Sequence, residues 1–172
     1  MKRIGLLSDT HGYIDSGIEK YFANCDEIWH AGDIGTVEVS DTLSNWKKYR
    51  AVYGNIDGGK LRLMHPENQV FELEGIKVLM THIGGYPGRY VPRIRELIEK
   101  EKPKLYICGH SHILKVMFDK THNLLHMNPG AAGNHGFHKI KTMLRFSLEK
   151  GEIKNLEVIE LGARSAPKNS SD

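Results

Sequence analysis

The chain has 172 residues and a mass of 19.5 kDa, with 40% hydrophobic and 26% charged residues. That fits one globular domain with a real core and excludes a disordered chain, a collagen-like rod or a coiled coil. A formal net charge of +3, carried by singly scattered basic residues, gives no footprint for long nucleic acid or a membrane surface.

In chain order, Met1-Lys2-Arg3 opens like the basic head of a secretory leader. The apolar run behind it, Ile4 to Leu7, stops at Asp9 and reads instead as a buried strand. Ile18, Tyr21 and Phe22 then recur at helical spacing, with Ser16 as the expected N-cap. Glu27–His30 is a second strand, Val37–Lys48 a helix and Arg50–Tyr53 a third strand. Gln69–Leu73 and Ile76–Met80 flank Glu74-Gly75 as a hairpin. Ile94, Leu97 and Ile98 mark a helix that Pro103 stops, and Leu105–Cys108 is a buried strand. Val116–Asp119, Leu124–Met127, Met143–Leu148 and Ile153–Leu161 complete the strands. No apolar stretch reaches the ~20 residues of a bilayer span. Two cysteines, Cys25 and Cys108, are too few for a disulfide scaffold, which argues for a reducing compartment, the cytoplasm. The order βαβαβ followed by hairpins predicts an α/β or α+β arrangement, two sheets with helices outside. Residues 1–161 form one domain in this reading, and 162–172 a polar, flexible tail.

The ten histidines are the compositional outlier. Four of them stand with two aspartates and an asparagine at strand ends: Asp9 and His11, Asp33, Asn55, His82, and His110 with His112. Ligands of open α/β sheets bind outside the carboxyl ends of strands, so these side chains are expected to converge. Carboxylate, amide oxygen and imidazole without thiolate suit Mn, Fe, Zn, Co or Ni. Seven donors are too many for one tetrahedral ion and suit a two-metal site with open positions. If strand geometry persists at the tips, Asp-x-His and His-x-His point both members the same way.

The ordered blocks Asp9-Thr10-His11, Gly32-Asp33-Ile34-Gly35, Gly54-Asn55, Thr81-His82 and Gly109-His110-Ser111-His112 resemble the calcineurin-like metallophosphoesterases, most of all the small YfcE-like phosphodiesterase branch. That resemblance implies a four-layer αββα sandwich of two mixed β-sheets. It implies two divalent metal ions, Mn foremost: Asp9, His11 and His112 on one, Asn55, His82 and His110 on the other, Asp33 bridging. The implied reaction is phosphodiester hydrolysis by a hydroxide held between the ions, on a small nucleotide-type substrate, with Asn55 also touching the phosphate. Many phosphatases of the superfamily carry a histidine, taken as general acid, after the motif asparagine; here Ile56 stands there. Asp57, His135 and His138 are the substitutes in reach of the motifs, and the departure argues for diesters over monoesters. Arg89 in the Ile83–Arg93 loop is a candidate phosphate contact and Tyr86 or Tyr90 a candidate stacking surface. The alternatives are a phosphomonoesterase and a non-catalytic protein-binding scaffold like the retromer subunit of this fold. Homo-oligomers through an edge strand are open, with nothing marking the edge.

Among the remaining residues, His30 reads as a satisfied core histidine behind Asp33, and Cys25, Cys108, Trp29 and Trp46 as packing. His65, His122 and His126 read as loop or strand-surface residues. Lys47, Lys48 and Arg50 read as a solvated helix end.

Overall fold

The computed structural model describes residues 1–165. Two five-stranded sheets lie face to face. The first is built from β1 (Lys2–Leu7), β2 (Glu27–His30), β3 (Lys48–Ala51), β9 (Ile140–Glu149) and β10 (Glu152–Ala163), in the order β10-β9-β1-β2-β3. The second is built from β4 (Asn68–Leu73), β5 (Ile76–Thr81), β6 (Leu105–Ile107), β7 (Leu114–Asp119) and β8 (Leu124–Pro129), in the order β4-β5-β6-β8-β7. In the first sheet the parallel strands β1, β2 and β3 form one half, with β3 at the edge, and the antiparallel β9 and β10 the other; in the second the parallel strands β5, β6 and β8 are central, with antiparallel β4 and β7 at the margins.

Alternation along the strands makes the layers. Ile4, Leu6, Trp29 and Phe146 face the other sheet, where Val78, Met80, Leu105 and Ile107 meet them. Leu7 points outward onto α1 (Ile18–Phe22) and α2 (Val37–Trp46), with Phe22 and Leu43. Leu79 and Tyr106 point outward onto α4 (Pro92–Glu101), through Ile94 and Ile98. This is the αββα sandwich that the resemblance implies. No helix among the described residues is long and apolar enough to cross a membrane.

Several elements depart from the sequence reading. Gly17, not Ser16, holds the N-cap of α1 without a side-chain cap; Asp15 Oδ1 instead accepts the Gly17 N–H. Helix α2 ends at Trp46, because Lys48–Ala51 is already strand. Arg50 therefore lies in the sheet, not on a solvated helix end: its Nε donates to Glu27 at 2.8 Å and its guanidinium sits 4.2 Å from the Phe71 ring. A short helix, α3 (Gly59–Met64), occupies a stretch to which the sequence pattern assigns no element. His126 is buried on β8 rather than at the surface. Strand β10 runs to Ala163, two residues into the expected tail, because it pairs with β9 up to Ile140. The rest of that tail, 166–172, lies outside the described residues.

Candidate metal centre

The loops after β1, β2, β3, β5 and β6 meet at one end of the sandwich. Asp9 and His11 follow β1, Asp33 follows β2, Asn55 follows β3, His82 follows β5, and His110 and His112 follow β6. Main-chain bonds hold the loops in register: Asp9 N–H to Gly32 C=O and His11 N–H to Asp33 C=O within the first sheet, Gly109 N–H to His82 C=O within the second, each at 3.0 Å. The His110 N–H donates to Asp9 Oδ2 at 3.1 Å and links the two sheets.

The strands do not persist into the tips. Asp9, His11, Asp33, His110 and His112 all adopt the left-handed region, with φ between 47 and 69°. Non-glycine residues occupy it at a cost and keep it where surroundings over-determine them, commonly at functional sites. It is this turn geometry, and not strand alternation, that aims the paired side chains inward.

The donors fall into two groups whose ligand atoms lie within 4.8 Å of one another: Asp9, His11 and His112, and Asp33, His82 and His110. Asp33 faces both, with Oδ1 3.2 Å from His82 Nε2 and Oδ2 3.4 Å from His11 Nε2. Asn55 Oδ1 lies 3.1 Å from His82 Nε2 and 3.0 Å from His110 Nδ1. His82 Nδ1 lies 2.7 Å from the Ala31 carbonyl. That carbonyl draws the ring proton to Nδ1 and frees Nε2 for the cluster.

Asp9 shows that the set fits a cation. Its Oδ2 accepts from Ser8 Oγ at 2.6 Å and from the His110 N–H. Its Oδ1 is buried and has no hydrogen-bond donor among the described residues, and neither has buried His11 Nε2. Buried polar atoms without partners are rare in native proteins, and an ion is one standard explanation. Burial pushes the Asp9 carboxyl up, but the neighbouring imidazoles of His11, His112 and His82 and the Ser8 hydroxyl outweigh it and hold it far below the usual range. Asp33 is likewise lowered: burial opposes, while His82 and the Ile56 N–H prevail. Burial alone would lower His82, but Asp33 and Asp9 raise it. Negative charge is thus stabilised where a cation would sit.

The other candidates divide. His135 stacks on His11, ring centroids 4.7 Å apart, and lines a cavity of about 420 Å³ over the cluster with Ile56, Phe137 and His138. The Asp57 carboxylate is buried and accepts the main-chain N–H groups of Ile34, Gly35 and Gly54, so it is spent on tying loops together. Arg89 is exposed and lines none of the cavities that touch the cluster. Tyr90 is buried with its hydroxyl on Asp119 at 2.7 Å, which leaves no face for a ligand. His30 is a satisfied core histidine: Gly32 N–H donates to Nδ1 and Nε2 lies 2.9 Å from Thr10 Oγ1, whose hydroxyl donates to Ile34 C=O. The sequence reading missed Ser8, which donates to Asp9, and the Ala31 carbonyl behind His82. The first is signalled by a buried hydroxyl beside a ligand; a backbone carbonyl leaves no signal in sequence.

Residues 1–151 match the family model of the calcineurin-like phosphoesterase superfamily domain. The chain belongs to that superfamily. A probable metallophosphoesterase of Methanocaldococcus jannaschii is 31% identical over 134 residues, 74% of this chain and 67% of its own. One from Mycoplasma pneumoniae is 29% identical, covering 91% of this chain and 96% of its own. Among solved structures, an archaeal phosphodiesterase superposes with a TM-score of 0.72 at 23% identity, covering 91% of this chain and 99% of that one. Vps29 of Entamoeba histolytica, solved with zinc, superposes with a TM-score of 0.70 at 15% identity, covering 93% and 99%. Membership makes the protein a phosphoesterase that works with divalent metal.

Proposed function

We infer that this phosphoesterase hydrolyses phosphodiesters with a pair of divalent cations, Mn²⁺ foremost, in the cluster described above. The supporting observation is Asp33, which turns one oxygen to each ligand group. In this reading Asp9, His11 and His112 hold one ion, Asn55, His82 and His110 the other, and Asp33 both. Cations there supply an acidified water and neutralise charge on the phosphoryl oxygens. The chain's own residues set the stage. The Ala31 carbonyl fixes the His82 tautomer, and Ser8 with the His110 N–H fixes the Asp9 rotamer. The Asn55 amide presents oxygen to His82 and His110, which leaves its N–H₂ as a donor for a phosphoryl oxygen. His135, stacked on His11 at the cavity wall, is the group placed to give a proton to the leaving oxygen.

Purified protein assayed on a chromogenic diester and monoester, with EDTA and after Mn²⁺ is restored, tests this. Metal-dependent turnover favouring the diester is expected; preference for the monoester overturns the bond type. A scaffold role is the second reading, supported by the Vps29 likeness and by exposed Ile56, Ile113 and Phe137 around the cluster. Inactivity with every divalent metal would favour it.

A further inference from the structure

A second cavity, of about 240 Å³, opens beside the cluster between the β5–α4 loop and the start of β7. It shares His110 and Ser111 with the cavity over the metal ligands. The two cavities therefore adjoin, and a molecule held at the ligands has the second within reach. Its volume falls below the ~300–1,000 Å³ of sites that enclose a whole drug-sized ligand, so it suits a single ring system.

The walls are specific. Gly84 and Gly85 present bare backbone. Tyr86 contributes its ring, with Lys115 Nζ 3.8 Å from the ring centroid. Lys115 pairs with no carboxylate among the described residues. His126 also lines the cavity. It is 1% exposed and stacked on Tyr106, and its Nδ1, itself buried, has no hydrogen-bond partner among the described residues. Burial and the Lys115 ammonium hold the ring down at about 4, so it is a neutral imidazole at physiological pH and adds no charge to the wall. The Asn128 side chain is already occupied by Gly109, Ser111 and Gly130.

An aromatic wall and an ammonium with no carboxylate partner among the described residues match a flat heteroaromatic ring with polar edges. A hydrocarbon tail would leave that ammonium without a polar partner. A second phosphate would engage Lys115 but waste Tyr86 and Ile83. We propose that this cavity seats a nucleobase of the scissile diester, which makes the substrate class a nucleotide diester; the assignment rests on the phosphodiesterase reading above.

Two diesters with the same leaving group test it: methyl p-nitrophenyl phosphate and thymidine 5′-(p-nitrophenyl phosphate), both with Mn²⁺. Stacking is worth ~1–3 kcal/mol per base, so kcat/KM should favour the thymidine ester by about tenfold or more. Tyr86→Ala and Lys115→Ala should remove most of that advantage and leave the methyl ester unchanged. Equal kcat/KM for both esters in the native protein, or variants that lose both equally, would overturn the subsite. A readout without turnover separates the two readings: EDTA-treated protein titrated with thymidine, followed by NMR of the Tyr86 and His126 rings. Saturable shifts at both rings support the base subsite even if no diester is hydrolysed, in which case the hydrolase reading alone fails. Shifts with inorganic phosphate but not thymidine, or none at all, refute the subsite.

Discussion

Asp33 is the residue on which the site turns. Replacing it by Asn keeps its shape but removes the charge shared by both ligand groups. Asp33→Asn should lower metal affinity by at least about 100-fold and abolish turnover; metal content and diester hydrolysis measure both, and a fully active variant rules out the bridging role. His126 offers a separate check. Its folded-state value of about 4 lies below the ordinary 6.5, so the unfolded chain takes up the proton first on acidification. Its contribution to stability is complete above pH 6.5 and is lost as the pH falls toward about 4, at up to ~1.4 kcal/mol per pH unit. Urea unfolding of EDTA-treated protein at neutral pH and at about pH 5 should show a smaller acid loss for His126→Phe than for the native chain. At this scale the convergence of the seven side chains was legible, because each is a donor at the end of a strand that periodicity marks. His126 was not: alternation around it on β8 is blurred, since five of the six residues of that strand are buried. Asp57 was misread for the opposite reason. Its place after Gly54-Asn55-Ile56 looks catalytic, and only the fold shows its oxygens turned to three backbone N–H groups.

Among the elements, the loops after β2 and β3 behave as one unit because Asp57 clips them together. A Cβ at Gly54 would overlap Asp33 Oδ1, so the same close approach also seats the shared ligand. Asp57→Ala should cost roughly 3–5 kcal/mol by stranding three backbone donors, two of them buried. It should also weaken metal binding without touching a ligand; thermal unfolding with and without Mn²⁺ reads both effects. The order of strands, the β4–β5 hairpin and the α4 stop before Pro103 were readable from apolar spacing and turn residues. Helix α3 was not, since its six residues leave only Leu61 buried and offer no periodic stripe. The end of α2 was blurred because Lys47 and Lys48 suit a helix C-terminus as well as a strand start.

The whole molecule puts ligands on both sheets: Asp9, His11, Asp33 and Asn55 come from one, His82, His110 and His112 from the other. A cation in the cluster therefore ties the layers at one end, beyond what the shared core supplies. An ion at a hundred times its Kd adds about 2.7 kcal/mol, or ~5–10 °C in Tm for a chain of this size. EDTA should lower Tm by that much and Mn²⁺ should restore it; an unchanged Tm would mean that no ion spans the sheets. The two-layer architecture was legible once strands and helices were assigned, but the extent of β10 was not, because Gly162 and Ala163 lead into a polar stretch that looks like a tail. The two residues just past β10 have a job of their own. Arg164 donates to the carbonyls of His138 and Asn134, and the Ser165 N–H to Asn134 Oδ1. The segment that carries His135 to its place against His11 is thus buttressed by the chain's own trailing end. Trimming the protein after Leu161 deletes no donor to the metals, yet it should slow the proton-dependent step by freeing that buttress, and a tag fused there risks the same silent injury.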